Sequence, residues 1–180
     1  MRVLVTGGVR SGKSRHAEQL LASRPGAAAG VCYVAAGPAP DAEADPDWSA
    51  RVAAHRARRP ASWSTEETGD LAGVLARTDR PLLVDCLGTW VAGVVDAAGA
   101  WEAPTTDLTG LLDDAVGEVL PALRSCVHDV VLVTNEVGLG VVPEHRSGRV
   151  FRDLLGIVNQ RVAAACDEVH LVVAGRVLRL

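Results

Sequence analysis

The sequence has no long hydrophobic run. The apolar start, residues 1–5, gives way at once to a glycine-rich loop, so no secretory signal is expected. The stretch after Asp85 is interrupted by Gly88, Gly93 and Asp96, which excludes a helical bilayer span. A basic excess is also missing: the formal charge is −4, which argues against a nucleic-acid partner. Paired cysteines are absent. Cys32, Cys86, Cys126 and Cys166 are scattered singly with no CxxC spacing, each in or beside an apolar segment, and are expected to be buried reduced thiols. No internal repeat and no low-complexity tract beyond alanine-rich helix is visible, and Trp48, Trp63, Trp90 and Trp101 follow no regular spacing. These absences together predict a cytoplasmic protein with no nucleic-acid or membrane partner.

What is there is an ordinary globular balance: 180 residues, 48% apolar and 22% charged, enough for one domain over residues 1–180 with its own core. Short Val/Leu-rich runs alternate with helical patterns. Strands are expected at 3–6, 31–35, 81–86, 130–134 and 169–174, and helices at 13–23, 47–58, 71–76, 87–97, 108–126 and 149–165. The strand runs lack clean alternation, as strands covered on both faces do. The fold class is therefore α/β: a P-loop NTPase-like, mainly parallel sheet with helices on both faces. In the longest helix Leu108, Leu111, Leu112, Ala115, Val119 and Leu123 fall near helical spacing and predict the packed face. Loops are expected at 37–46, 98–106 and 142–148, which are rich in Pro, Gly and Asp.

The sharpest signal is Gly7-Gly8-Val9-Arg10-Ser11-Gly12-Lys13-Ser14, which fits G-x-x-x-x-G-K-[ST] with an apolar strand before it and a helical pattern after it. Glycines let the backbone wrap a phosphate chain, and successive amide N–H groups with a helix N-terminus supply donors. Lys13 is expected at the β/γ-phosphates of a purine nucleoside triphosphate and the Ser14 hydroxyl on Mg²⁺. Asp85, closing the strand Pro81-Leu82-Leu83-Val84-Asp85, has the place of a Walker-B acid that holds the same ion. Asn135 and Glu136 follow another strand, where they either face an acceptor or cap the turn.

A local basic block, Arg51-Val52-Ala53-Ala54-His55-Arg56-Ala57-Arg58-Arg59-Pro60, ends where Pro60 should stop a helix. Alone, it reads as a solvated helix end favoured by the macrodipole. Beside a triphosphate site it reads differently, because neutral imidazole attacks phosphorus and arginines neutralise developing charge. His16, His128, His145 and His170 are expected to be structural or exposed. Trp48 and Trp63 flank the block and are candidates to line a pocket.

The whole chain resembles the bifunctional adenosylcobinamide kinase / adenosylcobinamide-phosphate guanylyltransferase family of cobalamin biosynthesis. The resemblance rests on VTGGVRSGKSRHAE, YVAAG, RVAAHRARRPASW, LLVDCLGTWV, VTNEVGLGVVPEHRSGRVFRD and NQRVAAACDEVHLVV. It implies a kinase and guanylyltransferase that use Mg²⁺ with GTP and ATP as substrates, a covalent guanylyl group on His55, and a homotrimer that takes adenosylcobinamide between subunits. It also implies nucleotide contacts from Ala35, Ala36 and Gly37, from Arg56, Ala57, Arg58 and Arg59, and from Glu67 and Asp85. The family often has Glu where Asp85 stands, and Glu66 is an alternative to Glu67.

Two other functions fit the loop: a small-metabolite kinase without His55 chemistry, and a GTP-binding assembly protein. The second is disfavoured because Asn135-Glu136-Val137-Gly138 lacks the Lys and Asp of a guanine-reading Asn-Lys-x-Asp motif.

Overall fold

The computed structural model describes residues 1–37, 43 and 45–180. Seven strands form one sheet: β1 (Arg2–Gly7), β2 (Cys32–Ala35), β3 (Ser64–Glu67), β4 (Leu82–Asp85), β5 (Val130–Val133), β6 (Glu168–Val173) and β7 (Arg176–Arg179). The helices are α1 (Lys13–Ala22), α2 (Pro46–Arg58), α3 (Leu71–Arg77), α4 (Leu87–Ala97), α5 (Thr105–Ser125) and α6 (Arg146–Ala163), and Pro25–Ala29 forms a 3₁₀ turn. Strand order is β3-β2-β4-β5-β1-β6-β7. Every pairing is parallel except β6 with β7.

The pleat sorts the strand residues into two cores. Leu4, Leu82, Val84, Val130 and Leu132 face the side covered by α3, α4, α5 and α6. Val3, Val5, Leu83, Val131 and Val133 face the other side, where Ala17 and Leu21 of α1 pack on them. Successive residues of β1, β4 and β5 thus bury alternately up and down, which is why these strands read as unbroken apolar runs. On α5 the fully buried stripe is Leu108, Leu112, Val116, Val119 and Leu123. Each such leucine contributes about 1.5–3 kcal/mol on burial.

Several expectations shift. Helices α5 and α6 each begin three residues earlier than their apolar periods, because first turns carry polar residues that show no such period. Within the α5 stripe, Leu111 and Ala115 are only partly buried and Val116 takes the core position. Helix α2 begins at Pro46, with the Asp45 side chain accepting from the Trp48 amide at 2.8 Å. The expected loop at 37–46 lies mostly outside the described residues. All four cysteines are free as expected, but they are half-buried rather than enclosed, since each sits at the margin of a core. Strands β3 and β7, at the two edges of the sheet, were not anticipated. No helix among the described residues is long and apolar enough to cross a membrane.

Candidate active site at the carboxyl rim of the sheet

The glycine-rich loop leaves the carboxyl end of β1 and enters α1 at Lys13, as the motif requires. Gly7 passes so close to its neighbours that a Cβ there would stand 2.4 Å from the Val172 carbonyl oxygen and 2.7 Å from Ser11 Oγ. Gly12 caps α1 at φ 98°, a left-handed conformation that glycine adopts without strain. Arg10, at φ 56°, reverses the chain at the loop's tip. The loop is propped from behind by the β6–β7 turn, where the Gly175 amide donates to the Ser11 carbonyl at 2.8 Å. Lys13 Nζ bridges the loop to the Gly8 carbonyl at 3.2 Å. Burial lowers the Lys13 ammonium's pKa, an effect opposed by nearby Cys86 and Asp85.

Asp85 stands at the end of β4, two strands from β1, and collects the site's polar groups. Its Oδ2 accepts from the Tyr33 hydroxyl at 3.1 Å and lies 3.5 Å from His55 Nδ1, and the Ser14 side chain is near enough to favour the ionised carboxylate. Burial pushes the Asp85 carboxyl up, but the donors on His55, Ser14 and Tyr33 outweigh it and hold the group below the ordinary carboxylate range. With Nδ1 turned to Asp85, Nε2 is the imidazole nitrogen left for chemistry.

A cleft opens beside Asp85, lined by Tyr33, Ala35 and Gly37 of the β2 end, Thr65 and Glu67 of β3, Thr89 of α4, and α2. Helix α2 buries none of its residues and turns Trp48, Arg51, Val52, His55 and Arg56 toward the cleft at helical spacing, followed by Arg59 at its C-cap. Arg59 is held firmly: its guanidinium stacks 3.8 Å over the Tyr33 ring and donates to the His55 carbonyl at 3.1 Å and to Thr65 Oγ1 at 2.7 Å. Arg56 pairs with Glu67. The phosphate loop does not line this cleft; Asp85 joins the two compartments, reaching Ser14 on one side and His55 on the other.

The structure therefore brings together most of the residues singled out in the sequence. Ala35, Gly37, His55, Arg56, Arg59, Glu67 and Asp85 line one cleft, and Gly7 to Ser14 form the adjoining loop. Ala36 instead turns into the larger core, and Ala57 and Arg58 lie off the cleft, Arg58 pairing with Glu18 of α1. Glu67 lines the cleft, whereas Glu66 faces away and pairs with Arg77. Of the two tryptophans, Trp48 lines the cleft and Trp63 packs against the α1-side core. The Glu136 carboxylate accepts from the Gly138 amide at 2.7 Å, capping its turn. His16 and His170 form a 2.9 Å pair that continues to Glu168, away from the cleft. The sequence had not pointed to Tyr33, Thr65 or Thr89; the i, i+3, i+4, i+7 spacing back from His55 would have flagged Arg51 and Val52.

Among the described residues no cluster of three or more His, Cys, Asp or Glu is placed to hold a metal. Asp85 and Ser14 do bring one carboxylate and one hydroxyl close together beside the loop. That donor set suits a hard ion whose remaining ligands are phosphate oxygens and water.

Comparison with known proteins shows the family. The family model for cobinamide kinase / cobinamide phosphate guanyltransferase matches residues 3–180. The bifunctional adenosylcobalamin biosynthesis protein CobU of Salmonella typhimurium is 43% identical, with 97% of each chain covered. CobU of Escherichia coli is 40% identical over 97% of each chain, and CobP of Pseudomonas aeruginosa is 40% identical over 97% of this chain and 94% of that protein. A full-length family match, three relatives of its own size and a phosphate loop joined to a histidine cleft place this chain in the cobinamide kinase / cobinamide phosphate guanyltransferase family.

Proposed function

We propose that this enzyme phosphorylates the aminopropanol hydroxyl of adenosylcobinamide and then transfers GMP from GTP to the product, giving adenosylcobinamide-GDP. The observation that carries the proposal is the convergence on Asp85: Ser14 of the phosphate loop and Nδ1 of His55 meet the same carboxylate.

In the kinase step the acceptor hydroxyl oxygen bonds to the γ-phosphorus of ATP or GTP and the bond to the β-phosphate oxygen breaks, releasing the nucleoside diphosphate. Lys13 and the amides of Gly8 to Ser14 hold the β/γ-phosphates through that displacement. In the transferase step neutral His55 Nε2 attacks the α-phosphorus of GTP, the α–β bridging bond breaks and pyrophosphate leaves. Asp85 holds the imidazole through Nδ1. A phosphate oxygen of the corrinoid then attacks the same phosphorus, the P–N bond breaks and His55 is regenerated. Splitting the transfer replaces one encounter of two bulky substrates with two ordered displacements. Mg²⁺, held by Ser14 and Asp85, would supply charge neutralisation on the phosphates. We assign the nucleoside to the cleft beside Ala35, Gly37 and Glu67. We further assign the enzyme to the cytoplasm, as a homotrimer that takes its large acceptor between subunits.

GTP labelled at the α-phosphate, and in parallel at the γ-phosphate, tests the covalent step. Only the α-label should stay on the protein, in a bond that breaks in acid and survives alkali, and His55→Ala should lose it while keeping the kinase step. An α-label that persists in His55→Ala, or never appears in folded wild type, leaves a plain kinase as the better reading.

A further inference from the structure

The arginines of α2 differ in what they are free to do. Arg56 is paired with Glu67, Arg58 with Glu18, and Arg59 is stacked on Tyr33 and bonded to the His55 carbonyl and Thr65. Each of these contacts fixes a guanidinium in place, and Arg59 in particular braces the helix end that carries His55. Arg51 has no hydrogen-bond or ion-pair partner among the described residues, yet it lines the cleft. It stands four residues, one helical turn, before His55 on the same face of α2. Its charge is felt at the phosphate loop, where it adds repulsion to the burial that already lowers the Lys13 ammonium. Two cations thus bear on each other, Lys13 on the phosphate loop and Arg51 on the α2 wall of the adjoining cleft. Such repulsion costs free energy until an anion offsets it.

We propose that Arg51 contacts the β- and γ-phosphates of the GTP that His55 attacks, and neutralises the charge that builds on the departing pyrophosphate. The inference rests on the guanylyl-histidine reading above. When Nε2 bonds to the α-phosphorus, the electron pair of the breaking P–O bond goes to the β-phosphate oxygen. A guanidinium one turn from the nucleophile is placed to receive that oxygen as the charge develops. By microscopic reversibility the same group binds free pyrophosphate when it attacks the guanylyl-enzyme to remake GTP. Arg51 is thus a catalytic residue of the transferase half-reaction, supplied by the same helix as the nucleophile.

The test uses the full chain, wild type and the variants Arg51→Gln and Arg51→Lys, with α-labelled GTP in single turnover. Thermal unfolding first checks that each variant is folded, and Arg51→Lys carries the test if Arg51→Gln is not. Arg51→Gln should take the label ~100-fold more slowly at saturating GTP, the loss typical of one positioned donor to a developing oxyanion. Its half-saturating GTP concentration should move less than its rate. Arg51→Lys should recover part of the rate, keeping the charge without the planar fork. Guanylyl-protein prepared by long incubation is then chased with pyrophosphate or with phosphorylated acceptor. Discharge by pyrophosphate should slow about as much as the forward step in Arg51→Gln, while discharge to acceptor changes far less. A purely structural role would slow both discharges together. Wild-type labelling rates in a folded Arg51→Gln, or equal loss in both discharge reactions, would overturn the assignment. A wild type that never takes the α-label overturns the guanylyl-histidine reading itself, and so is distinguishable from failure of Arg51 alone.

Discussion

Tyr33 is the one tyrosine of the chain, and its hydroxyl is the buried donor that holds Asp85 in place. The ring packs in the α1-side core, Arg59 stacks on it, and the residue is 4% exposed. Burial pushes the phenol far above its ordinary value, and the neighbouring Asp85 charge adds to this. Because the folded pKa is raised, Tyr33 contributes stability below the unfolded pKa near 10, and that contribution is lost as pH rises further. Only the unfolded chain can release the proton, so the loss is about 1.4 kcal/mol per pH unit above that point. With a single tyrosine, tyrosinate absorbance reports this group alone. It should stay flat in the folded protein as pH passes 10 and appear only together with the loss of near-ultraviolet circular dichroism. A smooth titration near 10 in a protein that is still folded would contradict the buried hydrogen bond. Tyr33→Phe should abolish the signal and cost about 2 kcal/mol in urea unfolding, the worth of a hydrogen bond to a charged group. At this scale the legible residues were those fixed by a motif, Gly7 to Ser14 and Asp85. Tyr33 was not, because in a strand of four residues an aromatic reads as packing and nothing in its neighbours marks the hydroxyl.

At the scale of elements, the strands that the sequence announced are those buried on both faces, and the two it hid are the sheet's edges. β3 is Ser-Thr-Glu-Glu with no buried residue, and β7 is Arg-Val-Leu-Arg with all four side chains exposed. Apolar periodicity reports burial, so an edge strand held mainly by backbone pairing leaves little trace of itself. Yet β3 supplies Thr65 and Glu67 to the cleft, and the turn into β7 supports the phosphate loop. Helix α2 was legible as a helix from its Pro-bounded basic block, but not as an element docked chiefly through polar contacts. It buries none of its residues, whereas α5 buries five. Helical stability in proteins comes mostly from a packed apolar face, so α2 should open far more readily than α5. Amide hydrogen exchange should therefore be fastest among the long helices over residues 46–58 in the free enzyme, and should slow there when GTP is added. Equal protection of α2 and α5 without nucleotide would show that the ion pairs to Glu18 and Glu67 hold the helix as firmly as a core does.

At the scale of the whole molecule, the β6–β7 edge of the sheet leaves an apolar surface without a cover among the described residues. In β6 the side chains of His170 and Val172 turn toward α1, so Leu171 and Val173 turn the opposite way, by the alternation of the pleat. Leu178 pairs directly with Leu171 and shares its face, and Leu180 follows two residues on. Helices α3 to α6 shield this side of the sheet over its central strands, but Val173, Leu178 and Leu180 remain 60%, 56% and 72% exposed. β7 also has a free edge, with backbone donors and acceptors available to a partner. A continuous apolar patch at a sheet edge is the kind of surface that subunits cover, and a head-to-tail contact that closes after three copies gives a trimer. The cleft beside Asp85 is walled by one chain on the α2, β2 and β3 side, and an acceptor as large as a corrinoid would gain further walls from a second subunit. Light scattering should give three times the 18.8 kDa chain mass for the wild type. Leu178→Glu places a charge in the patch without touching the core or the nucleotide cleft, so it should yield a folded monomer that still takes label from GTP but transfers GMP to the corrinoid poorly. A trimer that survives Leu178→Glu would move the interface elsewhere, and a monomeric wild type would require the acceptor to bind on one chain alone.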